Sequence, residues 1–308
     1  MIKRSLLITN AFVLRTEHEQ LILQDPVTNV QRPIPIEDIG TIVLDHHGIR
    51  ITQPAVNKLL AHNVSLIYCD NNSHMPSGLL MPLESNTIQS ERFRFQIEAS
   101  VVLKKQLWQQ TVKSKIENQA LAYEATQQKE SAFLKRRMTE VKSGDTDNQE
   151  GQAARHYWGK LFAPENFTRD RFGEPPNNYL NYGYAILRAA TARAISGAGL
   201  LPTLGIHHHN RYNAFCLADD LMEPYRPWVD YLVWKKNKAK TIYEDLNTED
   251  KADFIRLLNA DVFINNQRKP LALALTTTAV SLVKSFTESR PQLVFPIFRK
   301  CDADNVQS

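Results

Sequence analysis

Apolar residues change their spacing near residue 85. Before it they come in short runs. Ser5–Leu14 is mostly Leu, Ile, Val, Phe and Thr, and Leu21-Ile22-Leu23 ends at the turn signal Asp25-Pro26. Val30–Ile34 follows, and then Ile39–Leu44, rich in β-branched residues. Runs of this length, bounded by Pro, Asn and Asp, predict strands. Pro33 and Pro35 cannot donate to a ladder, so the third run is an edge strand at best. One helix interrupts the series: from Thr52, the residues Val56, Leu59 and Leu60 fall at helical spacing, with Pro54 in the first turn. Val64–Tyr68 is the last strand and stops at the turn cluster Asp70-Asn71-Asn72.

Beyond Pro82 the period lengthens. Residues 90–139 hold no proline and no glycine, and Phe93, Ile97, Val101, Leu107, Ile116, Leu121 and Phe133 recur among polar residues. This is the pattern of long amphipathic helices. A loop at 143–148 carries Gly144, and a helix starts near Glu150 and reaches about Phe162. Residues 164–177 are irregular, punctuated by Pro175-Pro176. Asn178 is placed to cap a helix carrying Leu180–Ser196, which Gly197 and Gly199 end. The remainder is helical in pattern, notably Thr248–Leu258 and Leu271–Phe286. The expected fold class is α+β: a small N-terminal β-rich domain (1–85), a larger all-α domain (86–301) and a flexible tail (302–308). The chain's 308 residues agree with two domains at roughly 150 residues each.

Composition mainly excludes. A hydrophobic share of 43% and a charged share of 23% rule out collagen-like, disordered and disulfide-scaffold chains. Eleven glycines are too few for a fold made only of tight hairpins. The three cysteines, Cys69, Cys216 and Cys301, are far apart and form no Cys-x-x-Cys, so neither a zinc knuckle nor a disulfide frame is supported. Lys3 and Arg4 before an apolar run resemble a signal peptide, yet Asn10 and the charged run Arg15–Glu19 cut it short. Leu271–Val283 is too short to span a bilayer. A cytoplasmic protein with no membrane partner is expected. The net charge, 37 − 33 = +4, permits a nucleic-acid partner without requiring one.

Two stretches carry candidate chemistry. Between Gly205 and Pro227, His207, His208 and His209 precede Asp219, Asp220 and Glu223. Asp220 and Glu223 are three apart, so one turn of helix would present both on the same side. Imidazole with carboxylates suits Mg²⁺ or Mn²⁺, and two close acids repel unless a cation or proton sits between them. Adjacent histidines cannot all face one point, so at most two would ligate. The plainer reading is a ligand-free histidine loop beside solubilising acids, with Asp219 as a cap or a partner of Arg211. The second stretch is Asn148–Trp158, where Glu150 opens a helix. The helix dipole alone is sufficient reason for a carboxylate there. Gly151, Ala153 and Ala154 would allow close approach of a backbone or ligand. No zinc-protease, P-loop, dinucleotide or nucleophile-elbow motif is present.

In combination these blocks resemble the CRISPR-associated integrase of spacer acquisition, the larger subunit of the adaptation complex. The resemblance rests on Glu150-Gly151-x-Ala153-Ala154-Arg155-x-Tyr157-Trp158 and on Asn181-Tyr182-Gly183-Tyr184-Ala185-Ile186-Leu187. It continues in Gly199-Leu200-x-Pro202-x-Leu204-Gly205-x-x-His208 and in Leu217-Ala218-Asp219-Asp220-Leu221-Met222-Glu223-Pro224-x-Arg226-Pro227. It is strong over 148–230, looser in the β-rich start, and adds little in the last 80 or so residues. The compact length and the His-His-His-Asn variant resemble the type II branch.

The resemblance implies that Glu150, His208 and Glu223 are both catalytic residues and ligands of Mg²⁺ or Mn²⁺, held by the α-helical catalytic domain. His208 stands three after Gly205, as in the family motif, with His207 or His209 as alternatives. Glu223 replaces the Asp of many members, and Asp220 matches a further acidic position that supports the site or balances charge. The implied activity is a metal-dependent DNA integrase and endonuclease. A 3′-hydroxyl of a short DNA fragment attacks a phosphodiester of a CRISPR repeat array, and with water as nucleophile the same site is a nuclease. The readings weighed against it are a structure-specific metallonuclease without integration and a non-catalytic DNA-binding scaffold. Implied partners are double-stranded DNA, a second copy in a homodimer, a small ferredoxin-fold adaptation subunit in a heterohexamer, and the type II RNA-guided effector nuclease.

Candidate phosphate contacts are Arg92, Arg155 and the four lysines of Trp234–Lys240, namely Lys235, Lys236, Lys238 and Lys240. Arg94 and Lys135-Arg136-Arg137 are further basic clusters, and a solvated helix face is the plainer reading of each. Trp158, Tyr182 and Tyr184 are assigned to the core rather than to base stacking.

Overall fold

The computed structural model describes residues 4–162 and 167–304. Lys3 before the N-terminal apolar run, Pro164 and residues 305–308 of the expected tail lie outside the described residues. The chain divides into two compact units, Met1–Thr87 and Ile88–Ser308.

The first unit contains β1 (Arg4–Ile8), β2 (Val13–Glu17), β3 (Gln20–Gln24), β4 (Gln31–Pro35), β5 (Ile39–Leu44), β6 (Arg50–Ile51), α1 (Gln53–Ala61), β7 (Ser65–Cys69) and β8 (Pro76–Leu80). Two four-stranded sheets form, in the orders β1-β5-β7-β8 and β4-β3-β2-β6. The run Ser5–Leu14 therefore serves two strands in different sheets, and the corner between them is a turn in which Phe12 N donates to Asn10 O at 2.8 Å. Strands β1, β5 and β7 run parallel. Every residue of β5 is buried, as a parallel strand covered on both faces requires. The proline-bearing β4 lies at a sheet edge. β8, which pairs antiparallel with β7, had no strand signal in the sequence.

The second unit contains α2 (Gln89–Glu98), α3 (Val101–Gln127), α4 (Ala132–Glu140), α5 (Gln149–Leu161), α6 (Asn177–Gly197), α7 (Cys216–Met222), α8 (Arg226–Lys238), α9 (Thr248–Leu257), β9 (Asp261–Ile264), β10 (Gln267–Pro270), α10 (Leu271–Thr287) and α11 (Lys300–Asp304). Three expectations need correction here. The unit is not all-α: β9 and β10 pair antiparallel through Asn265 and Asn266, both at positive φ, where asparagine is tolerated. Residues 302–304 of the expected tail are not loose: α11 buries Asp302 and Ala303, and Tyr231 Oη donates to Asp304 Oδ1 at 2.9 Å. Asn178 does not cap α6, which starts at Asn177; its amide donates instead to the carbonyls of Tyr243 and Glu244. No helix among the described residues is long and apolar enough to cross a membrane.

α3 organises this unit. Ser100 caps it by accepting from Leu103 N at 3.1 Å. Its 27 residues bury Leu107, Trp108, Val112 and Ile116, but also the polar Thr111, Lys115, Asn118 and Gln119. A helix with polar groups on its inward side brings chemistry into the core.

Candidate functional site

The site is built on three segments around α3. The first is the start of α5. Asn148, in the left-handed region at φ 51°, caps it by accepting from Gly151 N at 3.0 Å. Asp145 accepts from Gln149 N at 2.9 Å and from Glu150 N at 3.0 Å, so the free N–H groups of the first turn are met by a carboxylate. A Cβ on Gly151 would lie 2.6 Å from Asn148 Oδ1, so the glycine after Glu150 makes room for the cap. Glu150 thus leaves a well-fixed turn.

The second segment is the short 3-10 turn Glu223–Tyr225, between α7 and α8. Asn118 of α3 fastens it by donating to Pro224 O at 2.8 Å and to Pro296 O at 2.9 Å. Glu223 is buried, and its Oε1 lies 2.8 Å from Arg226 Nη2.

The third is the histidine loop. Asp220 is fully buried, and its Oδ2 accepts from Ile206 N at 2.7 Å and His207 N at 3.0 Å. Its Oδ1 accepts from His208 N at 3.2 Å and lies 2.6 Å from His208 Nδ1. Because an ionised carboxylate only accepts, the proton is assigned to Nδ1, which leaves Nε2 as the lone-pair nitrogen of the neutral ring. Gly205 allows this folding: a Cβ there would sit 2.3 Å from His208 O. Trp108 of α3 stacks on His207 at 4.1 Å and meets His208 edge-on at 5.7 Å.

Glu150 and Glu223 meet at Lys115 of α3. Its Nζ lies 2.6 Å from Glu150 Oε1 and 2.6 Å from Glu223 Oε2. The contact with Glu150 is also an aligned hydrogen bond. That with Glu223 Oε2, at the same distance, is an ion pair whose charge and hydrogen bond both lower the Glu223 carboxyl. Burial by itself would push the Glu223 carboxyl up, but Arg226 and Lys115 outweigh it and the net direction is down. Burial would likewise lower the Lys115 ammonium, and the two carboxylates turn that into a net rise. The hydrogen bond that His208 Nδ1 donates to Asp220 holds the imidazole above its ordinary value against the effect of burial, and the charges of Asp220, Glu223 and Glu150 add to the rise. Burial pushes His207 down.

The structure thus joins Glu150 to Glu223 through an ammonium and sets His208 within their electrostatic influence. Among the described residues, no three His, Cys, Asp or Glu side chains close around one point as ligands. Asp220 and Glu223 do not act as a pair despite their spacing, since Asp220 is taken up by the loop and Glu223 by Lys115. Asp219 accepts from Asn213 Nδ2 at 2.6 Å rather than pairing with Arg211, which stacks over Tyr212. Lys115, Asp145, Asn118 and Trp108 escaped the sequence reading. Lys115 is a charge on a helix face otherwise lined by Trp108, Thr111 and Val112, but linear spacing alone resembles an ordinary amphipathic helix.

The basic candidates separate clearly. Lys236 lies 2.9 Å from Asp250 and 2.6 Å from Asp253 with its side chain only 13% exposed, so its charge is taken up within the fold. Lys235 faces Asp304 at 3.4 Å, and Arg92 donates to Ala198 O at 2.8 Å. Arg136 and Arg137 pair with Glu140, and Lys135 with Glu130. Lys238 rests over the Trp234 ring at 5.0 Å. Lys240 and Arg155 are exposed, and neither they nor Lys238 has an acidic partner among the described residues. Tyr182 and Tyr184 are buried in the core.

The chain is 36% identical over 295 residues to the CRISPR-associated endonuclease Cas1 of Neisseria meningitidis serogroup C (strain 8013), covering 95% of each protein. Its fold is similar to a solved casposase bound to integration product, with a TM-score of 0.77 at 20% identity over 95% of this chain and 92% of that one. It is similar also to a chain of a Cas6-RT-Cas1–Cas2 complex, with a TM-score of 0.72 at 19% identity over 97% of this chain and 36% of that one. A family model, CRISPR associated protein Cas1, matches residues 6–264. The chain belongs to the Cas1 family of CRISPR-associated proteins.

Proposed function

We propose that this protein is a divalent-metal-dependent DNA endonuclease and integrase that inserts short DNA fragments into a CRISPR repeat array. The observation that carries the reading is the convergence of Glu150 and Glu223, from separate elements, on one positive charge beside an imidazole whose Nδ1 is already engaged. Family membership, and likeness to relatives named endonucleases, support it.

The donors suit the ion. Two carboxylates and an imidazole match Mg²⁺ or Mn²⁺. Glu223 Oε2 is buried and already faces a cation, the Lys115 ammonium at 2.6 Å. Glu150, Glu223 and the free nitrogen of His208 would hold the metal. Bound there, Mg²⁺ or Mn²⁺ supplies Lewis acidity toward a phosphoryl oxygen and the attacking hydroxyl.

The protein's own residues bind, orient and balance charge. Asp220 keeps the proton at His208 Nδ1 and fixes the ring plane. Arg226 balances Glu223 at Oε1, the oxygen that Lys115 does not contact. No Ser, Cys or Lys nucleophile is needed, because the substrate brings its own. The incoming 3′-oxygen forms a bond to phosphorus, the bond from phosphorus to another 3′-oxygen breaks, and the proton passes to that leaving oxygen. One phosphodiester replaces another, so no nucleotide is consumed.

The type II branch is supported by the His-His-His-Asn variant, the compact length and the Neisseria relative. The proposed partners are double-stranded DNA, a second copy of this chain, the small ferredoxin-fold adaptation subunit and the type II effector nuclease. Fold similarity to a casposase bound to integration product, and to a chain of a Cas1–Cas2 complex, supports the first and third.

The test is transfer of a short duplex into supercoiled repeat DNA with Mg²⁺ or Mn²⁺. Glu150→Gln, His208→Ala and Glu223→Gln should each abolish the transfer product. Full activity in His208→Ala overturns the ligand assignment. Cleavage of branched DNA with no transfer product would leave a metallonuclease. Binding that survives chelation, with no chemistry under any divalent ion, would leave a scaffold.

A further inference from the structure

We infer that Lys115 is a resident counter-cation that holds the place of the divalent ion and must be displaced before metal binds, so the chain limits its own metal affinity. The inference rests on Glu150 and Glu223 being the ligands, and adds to that reading a residue outside the motifs that suggested it.

Two observations and one electrostatic principle support it. Lys115 Nζ is within 2.6 Å of an oxygen on each carboxylate, so the two acids already share one cation. Two close carboxylates without a cation between them would repel each other. The Lys115 side chain is only 10% exposed, so it is built into the core rather than resting on the surface.

The neighbouring cation behaves differently. Arg226 lies over the Tyr184 ring at 4.6 Å and reaches Glu223 Oε1, the other oxygen, at 2.8 Å. A guanidinium held in this way stays, while an ammonium is a compact charge on a flexible four-carbon stem that can swing aside. The site therefore has one fixed and one exchangeable positive charge. Entry of a divalent ion beside Lys115 would crowd like charges, and retreat of the lysine relieves it. Metal binding thus incurs the loss of two ion pairs, and deleting the ammonium removes that cost.

The test is Mn²⁺ titration of the intact protein followed by electron paramagnetic resonance, with thermal melts by circular dichroism. Lys115→Met should bind Mn²⁺ about tenfold tighter than wild type or better, and Mn²⁺ should raise its Tm by more than it raises that of wild type. Affinity equal to or weaker than wild type in folded Lys115→Met overturns the inference while leaving the ligand reading intact. Unchanged Mn²⁺ binding in Glu150→Gln overturns the ligand reading itself, and the inference with it. Should Lys115→Met fail to fold in the absence of metal, Lys115→Gln is measured beside it. Folding of either variant restored by Mn²⁺ supports the exchange, and failure of Mn²⁺ to restore either one overturns it.

Discussion

His208 depends on Asp220: its Nδ1 lies 2.6 Å from a carboxylate that is 0% exposed and that also accepts from three consecutive backbone N–H groups of the same loop. One buried acid therefore both folds the histidine loop and aims the ring. Asp220→Asn keeps the volume but replaces one acceptor oxygen by a donor, so two of the N–H groups lose their partner. Leaving a buried donor unsatisfied costs about 1–3 kcal/mol each. The expected outcome is a loss of roughly 3 kcal/mol in urea unfolding. Metal-dependent DNA cleavage should also fall by about tenfold or more, as for removal of a ligand's supporting hydrogen bond. Unchanged cleavage in a destabilised variant would make Asp220 a loop residue only.

Gly205 should be the most sensitive glycine of the site. A Cβ there meets His208 O at 2.3 Å and Asp220 Oδ2 at 2.8 Å, both of which are held in place and cannot move aside cheaply. Gly205→Ala should shift the loop and detach His208 from Asp220. Activity is expected to fall by about tenfold or more while most of the helical fold persists. Far-ultraviolet circular dichroism beside a cleavage assay separates the two effects. Gly183→Ala provides the contrast. Its Cβ would meet Val229 Cγ1 at 2.5 Å and Phe254 Cε1 at 2.7 Å, away from the histidine loop. It should lose stability, typically about 1–3 kcal/mol for overpacking, with activity retained in the folded fraction.

The parts of the site that sequence revealed are local ones. Glu150 at a helix start, Gly205 before the histidines and the Asp220–Glu223 spacing are all set within a few residues along the chain. What the spacing did not show is direction. Asp220 and Glu223 are a turn apart, yet one faces the histidine loop and the other faces α3. Lys115 stayed hidden for a related reason: in α3 polar residues are interspersed with apolar ones, and only the packing of other helices around it turns Thr111, Lys115, Asn118 and Gln119 inward. The hairpin of β9 and β10 was missed because Gln267-Arg268-Lys269 has no apolar alternation, so the Asn265-Asn266 turn signal lacked a second recognisable strand. The split between β1 and β2 was missed because Ser5–Leu14 is nearly continuous in apolar character, and the corner at Asn10 is marked by one residue only.

The lysine run of α8 should divide into structural and binding members. Lys236 neutralises Asp250 and Asp253, which also carry the start of α9: Asn247 and Asp250 form a reciprocal cap there. Lys236→Ala leaves the buried Asp250 without its cation, while Asp253 keeps Arg256 at 2.7 Å, and should cost about 3 kcal/mol in stability. Its DNA affinity, measured on the folded protein, should stay near wild type. Lys238→Ala with Lys240→Ala should do the reverse, with little change in Tm. The slope of log affinity against log salt should shrink by about 0.9 for every phosphate that is no longer neutralised. Equal salt slopes for this double variant and wild type would exclude both lysines from the DNA surface.

Asp230 should give the fold a recognisable pH dependence. Burial pushes its carboxyl up to about 7, and hydrogen bonding from Tyr184 together with the charges of Arg226 and Arg169 opposes the rise without cancelling it. In the unfolded chain the same group titrates near 3.9. The folded state therefore holds the proton more tightly than the unfolded state does. The stabilising contribution is complete below about pH 4 and is lost progressively as pH rises to about 7, where the folded carboxyl ionises. Three pKa units correspond to roughly 4 kcal/mol across that window. Asp230→Asn removes the titrating group but keeps an oxygen to accept from Tyr184 Oη. Other groups titrate equally in both proteins, so the difference between the two stability–pH curves isolates Asp230. Relative to wild type, the variant should gain stability steadily from about pH 4 to pH 7, measured by urea unfolding at fixed temperature. A difference curve that stays flat across this range would show that the folded and unfolded carboxyls hold their proton alike.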